Sequence, residues 1–562
     1  MAETSDSMVA TDAWTNLRRA ALGITLFTGF TGLVYEVAWH RYLANILGSQ
    51  ARAAAIILAV FLGGLSVGYW IFGRISRDRS GSTLVSICGW IELGIGLWAL
   101  LFPVLYSFTW HYVGVLTPGG GWSLLVDALL AIALIGVPTV LMGGTLPLLT
   151  QGLAADLADA SPFHARVYAI NTGGAFIGCL VAGFVLLPFF GLTTAVYSGA
   201  VINLLAGVLL LVIARRLPEE RPALGLKKID DDTAGRHISV RRGMVISLFA
   251  GFYSITLQVV LMRIVGLSLG SSEYAFSMIV AAFVLMLALG AWRIGGSRSF
   301  VVPVWINQAI LTATALLLYL SIPFWPYYSH VIRILFSSVE PAFWPYYGIV
   351  FAVLCVVLAV PVGAMGSTMP LLFGAVKNRF AELGDIVGRL YAVNTLGCVL
   401  GALIGGYLLL YHYDLDEVFR ICLLLMALTV ILAAPWSQVG FSQRACSVLS
   451  TVLLGGAVFG LADWDHNVLS AGLFRQRTAT ETSLAGPQTA YSSRADRSTL
   501  VDYDDGPNTS VAIRDANLAQ VLLDRLFPDG GAVARSIIVN GKSDGETSPT
   551  DMATMRLSGH LP

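Results

Sequence analysis

The chain reads Met142-Gly143-Gly144-Thr145-Leu146-Pro147-Leu148-Leu149 and, 223 residues later, Met365-Gly366-Ser367-Thr368-Met369-Pro370-Leu371-Leu372. A second pair of segments keeps the same offset, Arg166-x-Tyr168-Ala169-x-Asn171-Thr172 and Arg389-x-Tyr391-Ala392-x-Asn394-Thr395. A self-match at one constant offset indicates an internal duplication. The first ~430 residues are therefore predicted to be two copies of one unit.

The composition is that of an integral membrane protein. Among 562 residues only 12% are charged, and the mean hydropathy is +0.74. A soluble domain has about 25% charged residues. Thirteen apolar stretches follow the polar start of the chain, each close to the ~20 residues that a helix needs to cross the hydrocarbon core. We therefore expect the lipid bilayer as the main partner, and the formal net charge of zero argues against nucleic acid.

Six spans fall in each copy, an even number, so both copies enter the membrane from the same side. Parallel repeats of this kind, related by an axis along the membrane normal, are typical of major facilitator transporters. The predicted fold class is an all-α polytopic membrane protein with two parallel six-helix repeats, an extra helix and a small β-rich C-terminal segment. The predicted parts are an N-terminal tail (1–19), a first six-helix bundle (20–214), a cytoplasmic linker (215–243), a second six-helix bundle (244–435), a thirteenth membrane helix (436–463), and a soluble linker with the β-rich start of another domain (464–562).

The distribution of lysine and arginine predicts the orientation. With the N-terminus in the cytoplasm, the inner segments hold twenty of these residues. The outer loops hold four, Arg41, Arg52, Arg263 and Arg333. The sequence therefore predicts a multi-pass protein of a bacterial inner membrane with a cytoplasmic N-terminus.

No metal site or disulfide framework is indicated. The six cysteines lie in or beside apolar spans, and the sequence has no CxxC pair or Cys/His cluster.

The two doubled motifs, together with several further segments, resemble the bacterial membrane-bound spermidine synthase-like family. In that family a facilitator-like membrane region precedes an aminopropyltransferase domain. The resemblance rests on the two doubled motifs and on these further segments: Leu33–Trp39 with Arg41, Ser470–Arg475, Asp505–Val511, Val539–Lys542, Asp551, and His560-Leu561-Pro562. It covers nearly the whole chain. A β segment of this type aids oligomerisation in the family, so the resemblance implies a homo-oligomer as one candidate assembly.

Two departures bear on the enzymatic activity that the resemblance implies. The sequence has no Gly-rich nucleotide-binding turn after a strand and no later Asp that acts as base in aminopropyl transfer. Thr554-Met555-Arg556 stand where the soluble enzymes have a Tyr-Gln-Glu run. These 562 residues are therefore not expected to catalyse aminopropyl transfer by themselves. No cofactor is predicted for them, and an S-adenosyl donor would enter only with a supplied catalytic domain.

Glu36 and Arg41, in and near the first predicted span, are the first candidate site residues. A carboxylate in the bilayer costs several kcal/mol unless it is paired or hydrated, which makes it a functional candidate by default. The second copy has Gln258 and Arg263 at the matching positions, so the carboxylate is asymmetric, as a single proton or cation site requires. The alternative is a structural pair between Glu36 and Arg41 or His40. Two further acidic residues, Glu92 and Asp127, are weaker candidates.

Thr145 and Thr368 belong to glycine- and proline-containing segments inside the fourth span of each copy. Paired, interrupted spans at matching positions point to the midplane site of a transporter, while close helix packing by small residues is the alternative. Asn171 and Asn394 lie in the fifth span of each copy. Their amides can bind a solute or join helices, and the sequence favours joining helices.

Three functions remain open from the sequence. The leading hypothesis is a transporter-like module that handles a small solute, with a polyamine or other cationic amine as one candidate. The second is the N-terminal part of a membrane-anchored aminopropyltransferase whose catalytic domain is absent. The third is a structural membrane anchor.

Overall fold

A computed structural model describes most of the chain: residues 2–47, 50–116, 123–218, 238–270, 272–296, 302–336, 339–377, 380–434, 441–469 and 471–495, and four strands between 501 and 546. The following parts of the sequence interpretation lie outside the described residues: most of the linker (219–237), Ser470, Asp505–Thr509, Asn540-Gly541, Thr554–Arg556, Asp551 and His560–Pro562.

The first half of the described chain is helical throughout. Its helices are α1 (Ala2–Leu47), α2 (Gln50–Ile75), α3 (Gly81–Leu116), α4 (Ser123–Ala131), α5 (Val137–Met142), α6 (Thr145–Leu153), α7 (Leu157–Val181) and α8 (Gly191–Arg216). Two π-helical segments, Ile132–Gly136 and Ala182–Phe190, join α4 to α5 and α7 to α8.

The second half repeats this order. Its helices are α9 (Val240–Leu269), α10 (Glu273–Gly296), α11 (Val304–Ser321), α12 (Trp325–Ile334), α13 (Phe343–Val376), α14 (Leu383–Leu400), α15 (Leu410–His412) and α16 (Leu415–Leu432). A π-helical segment, Gly401–Leu409, follows α14 and matches the one after α7. The segment after α7 contains Pro188, which lacks a backbone N–H. The segment after α14 is π-helical without a proline, so a single proline does not explain the π-helical geometry that both copies share.

Three further helices and a small sheet complete the described chain. The helices are α17 (Phe441–Phe459), α18 (His466–Leu469) and α19 (Pro487–Ala495). The strands are β1 (Val501–Asp504), β2 (Ser510–Asp515), β3 (Arg535–Val539) and β4 (Lys542–Glu546), and they pair antiparallel in the order β1-β2-β3-β4.

Ten helical segments of the described chain are long and apolar enough to cross a membrane. They contain eleven of the thirteen predicted spans, because Leu157–Arg216 is one continuous segment that holds two of them. The other two predicted spans are helices α16 and α17. Both are less apolar, since Asp416, Glu417 and Arg420 lie in the first turns of α16 and α17 begins with polar residues. The chain is a multi-pass membrane protein.

Matched glycines bring the helices of the first and fifth spans into backbone contact in each copy: α1 with α7, and α9 with α14. A Cβ atom on Gly29 or on Gly174 would overlap a carbonyl oxygen of the partner helix, of Asn171 or Leu26 respectively. The second copy repeats both contacts: Gly251 lies against Asn394 and Gly397 against Leu248. Only residues without a side chain allow helices to approach this closely. The duplication seen in the sequence is therefore also a duplication of helix crossings.

A second pair of matched glycines brings α2 against α5 in the first copy and α10 against α13 in the second. A Cβ on Gly68 would overlap the carbonyl oxygen of Val140, and a Cβ on Gly290 would overlap that of Gly363. The two bundles then meet symmetrically, because α2 packs on α14 while α7 packs on α10. Each bundle thus contributes its second and its fifth helix to the interface, as expected for two copies related by a two-fold axis.

The prediction that both fourth spans are interrupted is correct for the first copy and wrong for the second. In the first, a turn at Gly143-Gly144 separates α5 from α6. In the second, α13 runs unbroken from Phe343 to Val376 through Pro361 and Pro370. Ser367 replaces the second glycine there. Its hydroxyl donates hydrogen bonds to the carbonyl oxygens of Gly363 (3.0 Å) and Gly290 (2.9 Å), which supports the helix at this point.

The glycine crossings predict a sharp difference between two neighbouring substitutions. Gly174→Ala should lower the free energy of unfolding by ~2 kcal/mol, because the methyl group meets the backbone of α1. Gly173→Ala is the matched control: a Cβ there meets nothing within 4 Å, and alanine is the better helix former. Thermal unfolding of the purified protein in detergent measures both variants. Equal stability of the two would contradict the assigned crossing.

Candidate functional site

A cavity of about 110 Å3 lies inside the first bundle. Its walls come from α1, α2, α3, α7, α8 and the α5–α6 region, through Thr28, Gly29, Thr31, Gly32, Leu33, Phe61, Leu65, Tyr69, Glu92, Ile95, Met142, Thr145, Leu146, Asn171, Ala175 and Asn203. Among the described residues that line this cavity, one is a carboxylate and none is a lysine or an arginine.

Glu92 is that carboxylate, and its partners are neutral. The side chain is 1% exposed. Asn203 donates a hydrogen bond from Nδ2 to Glu92 Oε2 at 2.5 Å, and Thr145 Oγ1 lies 3.5 Å from Oε1. The Tyr35 hydroxyl donates to Asn203 Oδ1 at 2.9 Å and so directs the amide N–H groups toward Glu92. A buried carboxylate held only by neutral groups is costly, which marks it as a functional candidate.

The turn between α5 and α6 places Thr145 beside Glu92. Gly144 packs against side chains of α2 and α3, since a Cβ at this position would lie 2.6 Å from Ile91 Cδ1 and 2.9 Å from Phe72. Glycine therefore lets the start of α6 approach both helices without moving these side chains. Gly144, the second glycine of the first motif, thus helps to position Thr145 beside Glu92 as well as to pack the helices.

The second bundle builds the corresponding network without a charge. Gln308 lies on α11, the third helix of the second copy, just as Glu92 lies on α3, the third helix of the first copy. Its side-chain amide donates a hydrogen bond to Thr368 Oγ1 at 3.0 Å. Its Oε1 accepts hydrogen bonds from the hydroxyls of Tyr253 and Thr429, both at 3.0 Å. Asn307 also donates to Thr368 Oγ1. The two repeats therefore share a polar centre at the matched threonines, and only the first contains a carboxylate.

Glu36 and Arg41 lie on α1 beyond the cavity. Glu36 is half-buried and forms no hydrogen bond or ion pair within the described part of the chain, so it is not paired with Arg41 or His40. It lies three and four residues after Leu33 and Gly32, which line the cavity, and hence on the same face of α1 one turn further along. Arg41 is partly buried still further along the helix.

The remaining predicted site residues divide into two groups. Gln258 and Arg263 are partly buried on α9 and do not line the cavity. The two asparagines join helices: Asn171 Nδ2 is 3.3 Å from Thr28 Oγ1 at the cavity wall, and Asn394 donates to the carbonyl oxygen of Ser247 at 3.0 Å.

The tyrosines of the doubled Arg-x-Tyr motif meet where the bundles touch. Tyr391 lies with its ring centroid 5.6 Å from that of Tyr168 and 5.5 Å from that of Tyr69, which lines the cavity. The Tyr391 hydroxyl is 3.1 Å from His164 Nε2, and His164 Nδ1 is 2.9 Å from Thr150 Oγ1. Tyr69 thus connects the cavity wall to this aromatic cluster at the bundle interface. We call the end of the bundles where α8 ends and α9 begins the linker end.

Below the tyrosines, polar contacts seal the linker end between the two bundles. Asp385 forms ion pairs with Arg77 (2.6 Å) and Arg389 (2.9 Å), and a Cβ on Gly73 would lie 2.9 Å from Gly388 Cα. Arg77, in the loop between α2 and α3, thus joins the first bundle to the second.

Lys377, just beyond the end of α13, adds another contact across this seal. Its ammonium donates to the carbonyl oxygen of Leu157 in the first bundle. Burial lowers the pKa of Lys377 to about 8, and the nearby Asp156 and Asp159 act in the opposite direction.

Comparison with known proteins gives partial sequence matches to one class of enzyme and a likeness of fold. No protein-family model matches the chain. It is 31% identical over 182 residues to a polyamine aminopropyltransferase of Corynebacterium efficiens, covering 32% of both chains. It is 29% identical over 187 residues to polyamine aminopropyltransferase 2 of Streptomyces coelicolor, covering 33% of this chain and 32% of the relative. The chain thus spans about a third of the length of these relatives.

The solved structures show the fold alone. A bacterial homologue of the iron transporter ferroportin in its outward-facing state has a TM-score of 0.51 at 14% identity, covering 75% of this chain and 99% of its own. A double Trp mutant of XylE, a major facilitator superfamily proton:xylose symporter, has a TM-score of 0.50 at 15% identity, covering 78% and 98%. The resemblance stated from the motifs is confirmed: a major facilitator-like fold is combined with partial similarity to aminopropyltransferases.

Stability measurements separate a structural role of Glu92 from a functional one. Glu92→Gln should leave the free energy of unfolding unchanged or raise it, because replacing a buried charge by a neutral isostere removes its desolvation cost. Asn203→Leu should lower that free energy by ~3 kcal/mol, since it leaves Glu92 and Tyr35 unsatisfied. Gln308→Glu, the converse change in the second bundle, should also destabilise.

Thermal unfolding in detergent gives all three values. If Glu92→Gln destabilised the protein as much as Asn203→Leu does, Glu92 would be a structural residue.

Proposed function

We propose that the chain is the membrane module of a spermidine synthase-like protein and that it moves a small cationic solute across the bilayer. The observation that carries this proposal is Glu92, a buried carboxylate with neutral partners at the wall of a cavity whose lining, in the part of the chain that the structure describes, includes no basic residue. An ammonium group entering this cavity would supply the missing countercharge.

The arrangement of acceptors favours a solute with more than one ammonium group. Glu92 lies at the cavity wall, and Glu36 follows one helical turn beyond the cavity on the same face of α1. Thr28 and Asn171 add neutral polar atoms between the helices. A flexible diamine or polyamine can place one ammonium at each carboxylate. The partial relatives act in polyamine chemistry by name, which supports the same solute class.

Rocking of the two bundles would give access from alternate sides. The bundles touch at the linker end through Arg77, Asp385 and Gly388, groups that can separate without breaking either bundle's own crossings. The excess of lysine and arginine in the linker supports a cytoplasmic linker end, and a bacterial inner membrane is part of this proposal. In this conformation the cavity would then be closed toward the cytoplasm.

The second candidate is the N-terminal part of an aminopropyltransferase. The partial match to polyamine aminopropyltransferases favours it, and a supplied catalytic domain with its S-adenosyl donor would then perform the chemistry. A homo-oligomer formed through the C-terminal strands fits either candidate. A structural anchor would need neither Glu92 nor the cavity.

A binding experiment tests the solute proposal directly. Calorimetric titration of the purified protein with a diamine and with spermidine should show saturable binding, and Glu92→Gln should weaken it about 10- to 100-fold through loss of a charge-assisted contact. Asp127→Asn is the matched control, because Asp127 is also a buried carboxylate but does not line the cavity. It should bind as the unmodified protein does.

Vesicles containing the protein should also take up labelled amine in a Glu92-dependent manner. Binding that survives Glu92→Gln unchanged, or absence of any amine binding, would overturn the proposal. The enzyme-part and anchor hypotheses would then remain.

A further inference from the structure

We infer that residues 461–469 and 471–495 form a strap that fastens the C-terminal part of the chain to the second bundle, at the end opposite the linker end. The strap would hold the following β segment on the outer side of the membrane. This inference is independent of the solute that the cavity takes.

The first attachment follows directly after α17. The Tyr319 hydroxyl at the end of α11 donates to the carbonyl oxygen of Ala462 at 2.7 Å. Arg420, near the start of α16, forms an ion pair with Asp463. The Trp464 ring lies 4.6 Å from that of Tyr319 and packs on Phe419. Trp464 is 4% exposed, so this junction is a packed part of the bundle.

Further attachments lie along the rest of the strap. Phe474 covers Gly270 at the end of α9, where φ is +95° and a Cβ would lie 2.8 Å from the ring. Ser483 Oγ is 3.0 Å from His330 Nε2 on α12.

The last attachment is Tyr491. Its hydroxyl donates to the carbonyl oxygen of Pro323 at 2.9 Å and accepts from the backbone N–H of Tyr327 at 3.2 Å. Each of the contacts of the strap described here is made with the second bundle, so the strap should move with that bundle.

The ends of α9 show that the strap and the linker lie on opposite faces. At its start, Ile238 donates from its backbone N–H to the carbonyl oxygen of Ala375, at the end of α13. At its other end, Gly270 contacts Phe474 of the strap. Helix α9 has 30 residues and is thus ~45 Å long. That length exceeds the thickness of the hydrocarbon core, about 30 Å.

Covalent reach then fixes the side of the sheet. Strand β1 begins at Val501, six residues after the end of α19 at Ala495. Six extended residues span at most about 20 Å, too little to return to the linker end. The excess of lysine and arginine in the linker indicates that the linker end is cytoplasmic. The β segment, at the opposite end, then lies outside the cytoplasm. Anything that it binds is then taken from that compartment or delivered there through the membrane.

Labelling from one side of the membrane tests this placement. In a cysteine-free background, Thr478→Cys lies at an exposed position of the strap, and Arg79→Cys lies at an exposed position of the linker end. In intact cells a membrane-impermeant maleimide should label residue 478 and not residue 79, and in inverted vesicles the pattern should reverse. Labelling of both from the same side, or of residue 478 only from the cytoplasmic side, would overturn the inference.

A second measurement tests the attachment itself. Tyr491→Phe removes the hydroxyl that joins the strap to α12, and trypsin cleavage at the exposed Arg475 and Arg477 should become about five-fold faster. Tyr328→Phe is the matched control, because Tyr328 is exposed and its hydroxyl forms no hydrogen bond within the described part of the chain. Equal cleavage rates in the two variants would show that the strap is not held there.

Discussion

Backbone contact at matched glycines is the constraint on which this structure depends. Gly29 and Gly174 let α1 and α7 touch, and Gly251 and Gly397 do the same for α9 and α14. Dispersion and packing, not a hydrophobic effect, hold helices together in lipid, so such close crossings supply much of the cohesion of each bundle. The bundles become two stiff bodies of the same construction. Their contact surface, by contrast, includes ion pairs and aromatic rings, which can separate and reform.

The two bodies are alike in construction but differ in charge at the polar centre around the matched threonines. Thr145 and Thr368 are repeat-matched, and each is bonded by a polar residue on the third helix of its copy. In the second bundle that residue is Gln308, with neutral partners on every side. In the first it is Glu92, beside a cavity. Of the two polar centres at the matched threonines, only that of the first bundle contains a carboxylate among the described residues. This asymmetry is the main physical support for the proposed transport-type function, and the strap contacts distinguish the second bundle further.

Sequence reasoning recovered the fold better than the site. Hydropathy and the repeat located the helices, because both signals are local or periodic. The break of the fourth span was predicted for both copies, yet α13, which has Ser367 in place of the second glycine, is continuous. Among the carboxylates, Glu36 ranked above Glu92, since its repeat partner is an obvious Gln. The partner of Glu92 is Asn203, 111 residues away, and no local pattern reveals that contact. The sequence feature that could have identified the site is a polar residue on the third helix of each copy, Glu92 in the first and Gln308 in the second. The strap could not be foreseen, because its contacts join residues far apart in the chain, such as Tyr491 and Pro323.

The most direct test of the account is whether the bundles move as rigid bodies about the sealed linker end. Spin labels at Arg79 and Ala381, exposed on opposite sides of the seal, report the distance between the bundles, and labels at Arg79 and Arg215, both in the first bundle, report its interior. Pulsed electron paramagnetic resonance in lipid should give a short Arg79–Ala381 distance without solute. A second, longer distance should appear with an amine present, while the Arg79–Arg215 distance stays constant. A single Arg79–Ala381 distance under every condition, or a change in both pairs together, would contradict the account.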